Sequence, residues 1–168
     1  GIVYLQEQPK SGVNVRPIGE QISEGDLALE KGTLLNAAAI GFLAGLGFTS
    51  VMVYKKPTIG IVITGNELVK PGSTLKYGKV YESNAIMLRS ALNDAYFDAI
   101  TLYEVNDDFE NTKNKLHDAL SANDVVLVSG GISVGDYDFV ARALKELEVE
   151  TLFYKVNQNP CKPLFTGK

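Results

Sequence analysis

The chain has 168 residues and a formal net charge of −4, and 45% of its residues are hydrophobic. This length suits one ordinary domain, and the composition is typical of a globular protein. Lys and Arg form no cluster, so we expect no nucleic-acid partner, and no apolar run approaches the ~20 residues that cross a bilayer. The single cysteine, Cys161, excludes an intrachain disulfide, which favours the reducing cytoplasm.

The first third of the chain shows little regular pattern. Residues 1–26 are interrupted by prolines and glycines, and we expect irregular strand and loop there. Asn36 is expected to cap a helix of small residues that stops before Gly47, and residues 50–54 are expected to form a short strand. Because the first residue is not Met and both ends look cut, we expect a chain taken from a longer protein.

From residue 59 onward, apolar runs alternate with helical stripes. Residues 59–63 and 124–128 are the apolar runs expected of strands buried on both faces, and residues 99–105 and 151–156 are expected to be two further strands. The intervening segments predict helices. This alternation indicates an α/β fold with three layers, α/β/α, in which a mostly parallel sheet lies between two layers of helices.

Three stripes of apolar residues locate the predicted helices, and polar signals mark their limits. Asp107 with Glu110 resembles a capping box at the start of the helix that follows the strand at residues 99–105. Residues 66–80 are expected to form a long polar loop. The predicted inward-facing residues are Leu88, Ala91, Leu92 and Ala95 in the helix before residue 99, Leu116, Ala119 and Leu120 in the helix before residue 124, and Val140, Ala143, Leu144 and Leu147 in the helix before residue 151.

The glycine-rich loop at residues 129–138 is the strongest indication of a binding site. Its three glycines allow a ligand to approach the backbone, and the helix start behind it suits a phosphate. Ser129 and Ser133 add hydroxyl donors. A tight turn in which Asp138 caps the helix explains the same residues, so both interpretations stay open. An open backbone at Gly131 predicts that a bulky replacement there would affect binding more than folding.

Three more loops carry polar residues where a parallel sheet binds its ligands, at the carboxyl ends of its strands. Residues 64–68 follow the first buried strand, and their acid is equally explained as a solvated loop residue. Residues 81–84 open a helix, where Ser83 or Asn84 would serve as a plain cap. Residues 159–163 form a stiff segment after the last strand, which could also be a simple connector.

These four loops, in this order, resemble the MoeA and gephyrin E-domain family, the molybdopterin molybdenumtransferases. The resemblance covers nearly the whole chain from residue 13 onward. The matching stretches are Thr64-Gly65-Asn66-Glu67-Leu68, Tyr81-Glu82-Ser83-Asn84, Ser129-Gly130-Gly131-Ile132-Ser133-Val134-Gly135 with Asp138, and Pro160-Cys161-Lys162-Pro163.

The resemblance implies insertion of molybdate into adenylated molybdopterin with release of AMP, assisted by Mg²⁺. It implies Glu82 as the metal-binding carboxylate, where the family usually has Asp, and Glu82 and Asp136 as catalytic residues. Lys162 would face the anionic end of the ligand, with Lys70 and Lys155 as the other nearby cations. The residues implied to bind substrate are Thr64, Gly65, Asn66, Glu67, Ser83, Asn84, Ser129, Gly130, Gly131, Ser133, Gly135, Asp138, Pro160, Lys162 and Pro163.

The resemblance also implies the organisation of the chain and its partners. Residues 1–26 would be the tail of a preceding β-rich subdomain, and residues 27–168 the molybdopterin-binding α/β domain, with a C-terminal subdomain absent. The full-length protein would be a homodimer that works beside a molybdopterin adenylyltransferase. Two alternatives stay open: a non-catalytic pterin-binding or scaffold member, and a related molybdopterin adenylyltransferase, against which the Lys-Pro ending argues.

Overall fold

The structure, a computed structural model, describes residues 1–4, 8, 10–106, 108–131, 139–157 and 164–168. Its contacts divide the chain into two compact units, Gly1–Tyr54 and Lys55–Lys168. This division lies between residues 54 and 55, whereas the sequence-based subdomain boundary lies between residues 26 and 27. In the part of the chain that is described, no helix is both long enough and apolar enough to span a membrane.

Among its described residues, the first unit contains one helix, α1 (Ala37–Gly45). The side chain of Asn36 accepts a hydrogen bond from the Ala39 N–H at 2.9 Å, which confirms the predicted cap. Gly47, at a φ of +89°, follows the helix end in the left-handed conformation expected there. The strand predicted at residues 50–54 is wrong, because these residues pair with no strand among those described, and a strand needs a hydrogen-bonded neighbour.

The second unit is built on a three-stranded parallel sheet. Its central strand, β1 (Ile59–Thr64), is buried along its whole length, as the continuous apolar run predicts. Strands β4 (Ile100–Val105) and β5 (Val125–Ser129) flank it in the order β4-β1-β5, and both pairings are parallel. The parallel pairing places the carboxyl ends of all three strands at one edge of the sheet, where ligands are expected.

Helix α2 (Asn84–Asp94) covers one face of the sheet. Ala85 is buried against β1, and Leu88 and Leu92 pack beside it. The two alanines predicted on the same stripe are exposed, because the buried face is centred on residues 85, 88 and 92. The helix predicted in this segment is therefore confirmed, and it forms the helical layer on this face of the sheet.

The opposite face is covered by α3 (Phe109–Ala122) and α4 (Phe139–Glu146), which completes three layers. Leu116 and Ala119 are fully buried, as predicted. The inward position predicted for Leu120 is wrong, since 37% of this residue is exposed. It lies one position beyond Ala119, at the edge of the buried stripe.

Helix α3 starts one residue later than the predicted capping box implies. The Asp108 side chain accepts the N–H of Asn111 at 2.8 Å, so the helix is capped by Asp108 rather than by Asp107. Glu110 falls in the first turn, where the helix dipole favours a carboxylate. Asp107 itself lies outside the described residues.

Two small sheets differ from the sequence-based prediction. The loop predicted at residues 66–80 contains a short parallel pair, β2 (Leu68–Val69) and β3 (Val80–Tyr81). The last predicted strand is β6 (Thr151–Tyr154), which pairs antiparallel with β7 (Phe165–Gly167) and joins no other described strand. Lys155, at a φ of +65°, ends β6 two residues before the predicted limit, because a left-handed residue cannot continue an extended strand.

Asp124 ties the start of β5 to the start of β1. Its Oδ2 accepts the N–H of Thr58 at 2.8 Å and the Thr58 hydroxyl at 2.9 Å. The backbone hydrogen bond and then the hydroxyl hold the pKa of this carboxyl below its ordinary value of 3.8. Since the folded-state pKa is the lower one, the stabilisation is complete above the ordinary pKa and is lost as the pH falls through the folded-state value.

We therefore expect Asp124→Asn to lower the Tm near neutral pH and to flatten its acid decline. Thermal melts of both proteins between about pH 2 and pH 7 measure this difference. Parallel melting curves over the whole range would mean that the Thr58 hydrogen bonds do not depend on the charge of Asp124.

Candidate functional site

Two of the predicted loops meet at the carboxyl edge of the sheet. Ser129 ends β5 opposite Ile63 of β1, and Asn84 opens α2 on the same face. The Asn84 Nδ2 donates a hydrogen bond to the Ser129 Oγ at 2.9 Å. This contact joins the segment at residues 81–84 to the start of the glycine-rich loop, although 45 residues separate the two in sequence.

The glycine pair after Ser129 packs directly on the end of β1. Gly130 has a φ of +97°, and a Cβ added there would lie 2.5 Å from the Thr64 carbonyl oxygen. Gly131 has a φ of +65°, and its Cβ would lie 2.5 Å from the Cγ2 of Val140. Both positions therefore require glycine for the packing of the strand ends. Thr64 is only 6% exposed, and its oxygen atoms lie directly beside this turn.

The segment after β1 is anchored by its own turn and by β3. Gly65, at a φ of +144°, has both carboxylate oxygens of Glu67 close to its Cα, since an added Cβ would meet them at 2.8 and 2.9 Å. The Asn66 carbonyl accepts a hydrogen bond from the Lys79 amine at 2.6 Å, and the Glu67 carbonyl accepts the N–H of Val80 at 2.9 Å. The Glu67 carboxylate is thus folded back toward the end of β1.

Glu82 caps α2. Its Oε1 accepts the N–H of Ala85 at 2.8 Å, whereas Ser83, the residue in the cap position, makes no side-chain capping hydrogen bond. The plain-cap role predicted for Ser83 or Asn84 is therefore wrong. Glu82 accepts the backbone N–H at the start of the helix, and the Asn84 side chain donates to Ser129 instead. The second carboxylate oxygen of Glu82 has no part in the cap.

A pocket of about 140 Å³ lies beside Glu82. Gly65 and Lys70 line it from the segment after β1, and Glu104 and Asn106 line it from the end of β4. The Lys70 amine lies 3.0 Å from a Glu104 carboxylate oxygen in an exposed ion pair. Of these residues, the sequence interpretation left out Glu104 and Asn106. Their position at the carboxyl end of a strand is the signal that could have identified them.

Glu82, the metal ligand that the family resemblance implies, is one of the carboxylate residues that line this pocket. The described ranges contain no group of three or more His, Cys, Asp or Glu side chains that could bind one. A magnesium ion needs only one or two protein carboxylates, because water and substrate phosphates complete its octahedral shell. The second oxygen of Glu82, which accepts no hydrogen bond from the described residues, fits that requirement.

Seven of the predicted site residues lie outside the described residues. They are Ser133, Gly135, Asp136, Asp138, Pro160, Lys162 and Pro163. The described part of the site therefore consists of the ends of β1, β4 and β5, the segment at residues 65–71 and the start of α2.

The sequence matches two known protein families. Residues 60–168, more than half of the chain, match the family described as "Probable molybdopterin binding domain". The chain belongs to this molybdopterin-binding domain family. Residues 2–47 match the "MoeA N-terminal region (domain I and II)". The molybdopterin-binding domain thus falls within the second compact unit, and the predicted boundary at residues 26 and 27 lies inside the N-terminal match.

Two curated relatives of this molybdopterin-binding domain protein have the same name. The molybdopterin molybdenumtransferase of Haemophilus influenzae is 33% identical over all 168 residues, which span 41% of that protein. The enzyme of the same name from Staphylococcus epidermidis is 37% identical over 148 residues, which cover 88% of this chain and 35% of that protein. The chain therefore spans well under half the length of these relatives.

Solved structures of similar proteins show the same fold. The molybdopterin biosynthesis MoeA protein from Pyrococcus horikosii superposes with a TM-score of 0.71 at 32% identity, over 89% of this chain and 37% of that one. A molybdenum cofactor biosynthesis protein from Pyrococcus furiosus gives 0.61 at 31% identity, over 88% and 43% of the two chains. These similarities confirm the α/β architecture with its mainly parallel sheet.

Proposed function

We propose that this chain is the molybdopterin-binding part of a molybdopterin molybdenumtransferase, which inserts molybdate into adenylated molybdopterin and releases AMP. The observation that carries this proposal is the meeting of Asn84 and Ser129 at the carboxyl edge of the sheet. It brings together two loops of a domain whose family is described as binding molybdopterin. The names of the relatives support the transfer reaction.

In this proposal the ligand lies along the ends of β1 and β5. The Ser129 hydroxyl and the turn at Gly130 and Gly131 face its oxygen atoms, since hydroxyl and N–H donors suit an anionic group. The start of α2 adds the partial positive charge of a helix N-terminus. Lys162, which lies outside the described residues, would supply a full positive charge.

A magnesium ion is the proposed cofactor, held by the Glu82 oxygen that does not cap α2, with Asp136 as a second candidate outside the described residues. Bound there, it would neutralise charge on the pyrophosphate of the ligand. The apolar floor of the adjoining pocket, which includes Ile63, Leu68 and Val105, limits water around the ligand. Magnesium binding is supported by the chemistry of the carboxylate at position 82 and by the family resemblance.

The further partners are part of the same proposal. Molybdate is the second substrate, a molybdopterin adenylyltransferase supplies the first, and the longer protein acts as a homodimer in the cytoplasm. The absence of any membrane-spanning helix in the described ranges is compatible with such a location. A single cysteine is compatible with a reducing compartment.

We expect this chain to bind adenylated molybdopterin weakly and molybdate to add no measurable affinity. The nearby described cations are few, and one of them, Lys70, is paired with Glu104, whereas holding a second oxyanion beside a pyrophosphate requires several donors. Isothermal calorimetry with the ligand, with and without molybdate, measures both quantities.

Ser129→Ala and Ser90→Ala are the matched variants for this test. Ser129 lies at the proposed site, whereas Ser90 is exposed in the middle of α2, so only the first should weaken binding. Failure of the unchanged chain to bind adenylated molybdopterin would contradict the proposal. ATP-dependent adenylation of molybdopterin would instead assign the chain to the adenylyltransferases. Binding without any activity in the longer protein would favour the scaffold alternative.

A further inference from the structure

We propose that Asn84 is a positioning residue that fixes the direction of the Ser129 hydroxyl hydrogen, so that Ser129 donates a hydrogen bond to an anionic oxygen of the ligand. This inference rests on the proposed function and assigns different roles to two residues that the resemblance treats alike. Ser129 contacts the ligand, and Asn84 acts through Ser129.

The first step concerns which atom donates. The Asn84 Nδ2 carries only donors, so at 2.9 Å the Ser129 Oγ must be the acceptor. A hydroxyl group has one hydrogen of its own, and that hydrogen cannot point back at the amide. It is therefore available to another acceptor.

The second step concerns why Asn84 is available for this contact. An Asn at the start of a helix commonly caps it, but the cap of α2 is made by Glu82, which accepts the Ala85 N–H. The amide of Asn84 is consequently left for the contact with β5. The helix would be capped equally well without Asn84, so the contact with Ser129 has no role in helix capping.

The third step concerns where the hydrogen points. Ser129 is half-buried, directly before the turn at Gly130, at the strand edge where a parallel sheet binds ligands. Hydrogen bonds in a chain polarise one another, so a hydroxyl that accepts from an amide becomes a better donor. An anionic oxygen, such as one of a phosphate group, is the partner that gains most from such a donor.

Asn84→Asp is the decisive variant because it keeps the shape and reverses the polarity. A carboxylate at position 84 can only accept, so it would take the Ser129 hydrogen away from the ligand. A carboxylate in the first turn of an 11-residue helix is favourable for the helix dipole. We therefore expect the Tm to be unchanged or higher while the affinity for adenylated molybdopterin falls by about 10- to 100-fold.

The added charge is controlled by repeating the substitution in a Ser129→Ala background. There, Asn84→Asp can act only through repulsion of the ligand, so the loss should be about tenfold smaller than in the unchanged chain. Ser129→Thr, which keeps the hydroxyl, should retain most of the binding that Ser129→Ala loses. Calorimetry with adenylated molybdopterin measures affinity for all variants, and thermal melts measure stability.

The outcomes separate this proposal from the proposed function. Equal losses for Asn84→Asp in both backgrounds would overturn the positioning role while leaving ligand binding at this site intact. A fall in Tm that parallels the fall in affinity would show that the hydrogen bond is structural. If the unchanged chain does not bind adenylated molybdopterin, the proposed function fails, and the positioning role fails with it.

Discussion

Gly131→Val should destabilise the second unit by about 3–5 kcal/mol, a large part of the 5–15 kcal/mol that keeps a typical domain folded. Gly131 has a φ of +65°, which a β-branched residue resists, and an added Cβ would lie 2.5 Å from the Cγ2 of Val140. Val140 is 1% exposed and belongs to the core between the sheet and α3 and α4. Because protein interiors are closely packed, moving this side chain aside costs packing energy.

Gly78→Val provides the matched control for this prediction. Gly78 has a similar φ of +74°, but nothing lies within 4 Å of an added Cβ. The control therefore carries the backbone strain without the collision, at about 1–2 kcal/mol. Urea unfolding of the three proteins measures the difference. Equal destabilisation by the two substitutions would mean that the contact with Val140 relaxes without cost.

This expectation replaces the one drawn from the sequence, which assigned the open backbone at Gly131 to ligand approach. A glycine-rich loop after a buried strand has the same pattern whether its missing side chains make room for a ligand or for the protein itself. At Gly131 the neighbour is Val140, and at Gly130 it is the backbone of Thr64. Packing alone is sufficient to require both glycines.

Glu82→Gln should remove the magnesium dependence of ligand binding and leave the fold nearly unchanged. The glutamine carbonyl can still accept the Ala85 N–H that Glu82 accepts at 2.8 Å, so α2 keeps its cap. The charge that a hard cation requires is gone. We expect magnesium affinity to fall by at least about 10- to 100-fold, measured by calorimetry with adenylated molybdopterin at increasing Mg²⁺ concentrations.

Glu110→Gln is the control, since Glu110 is an exposed carboxylate in the first turn of α3. It loses the same charge at the start of another helix and should keep the magnesium response. If Glu82→Gln also keeps it, Glu82 serves only as the cap of α2, and a metal ion would have to bind among other residues.

Much of the fold follows from local patterns in the sequence. The apolar run at residues 59–63 is long enough for one strand and has no polar face, so it had to be a central parallel strand, and β1 is buried throughout. Leu116 and Ala119, three positions apart, had to share a helical face. Once strands and helices alternate, chain connectivity brings the strand ends to one edge, and the meeting of the predicted loops at Ser129 and Asn84 follows from that.

Which of several neighbouring polar residues caps a helix was decided only by the tertiary structure. Asp107 and Asp108 are equivalent in sequence, yet Asp108 has the extended backbone from which a side chain reaches the Asn111 N–H. The start of α2 is capped by Glu82 rather than by Ser83 or Asn84, and the Asn84 side chain contacts Ser129 instead. A hydrogen bond depends on atomic positions within a few tenths of an ångström, whereas hydrophobic periodicity depends only on which face a residue occupies.

The partner of each strand was likewise decided by long-range contacts. Residues 151–154 have the composition of a strand, and composition is insensitive to whether the neighbour is parallel or antiparallel. The structure pairs β6 with β7 rather than with the parallel sheet. The sequence by itself therefore determined the layers, the centre of the buried face of α3 and the sheet edge at which the predicted loops meet, since these depend on apolar spacing. Strand partners, helix caps and the reason for each glycine depend on residues distant in the chain, and only the folded structure brings those together.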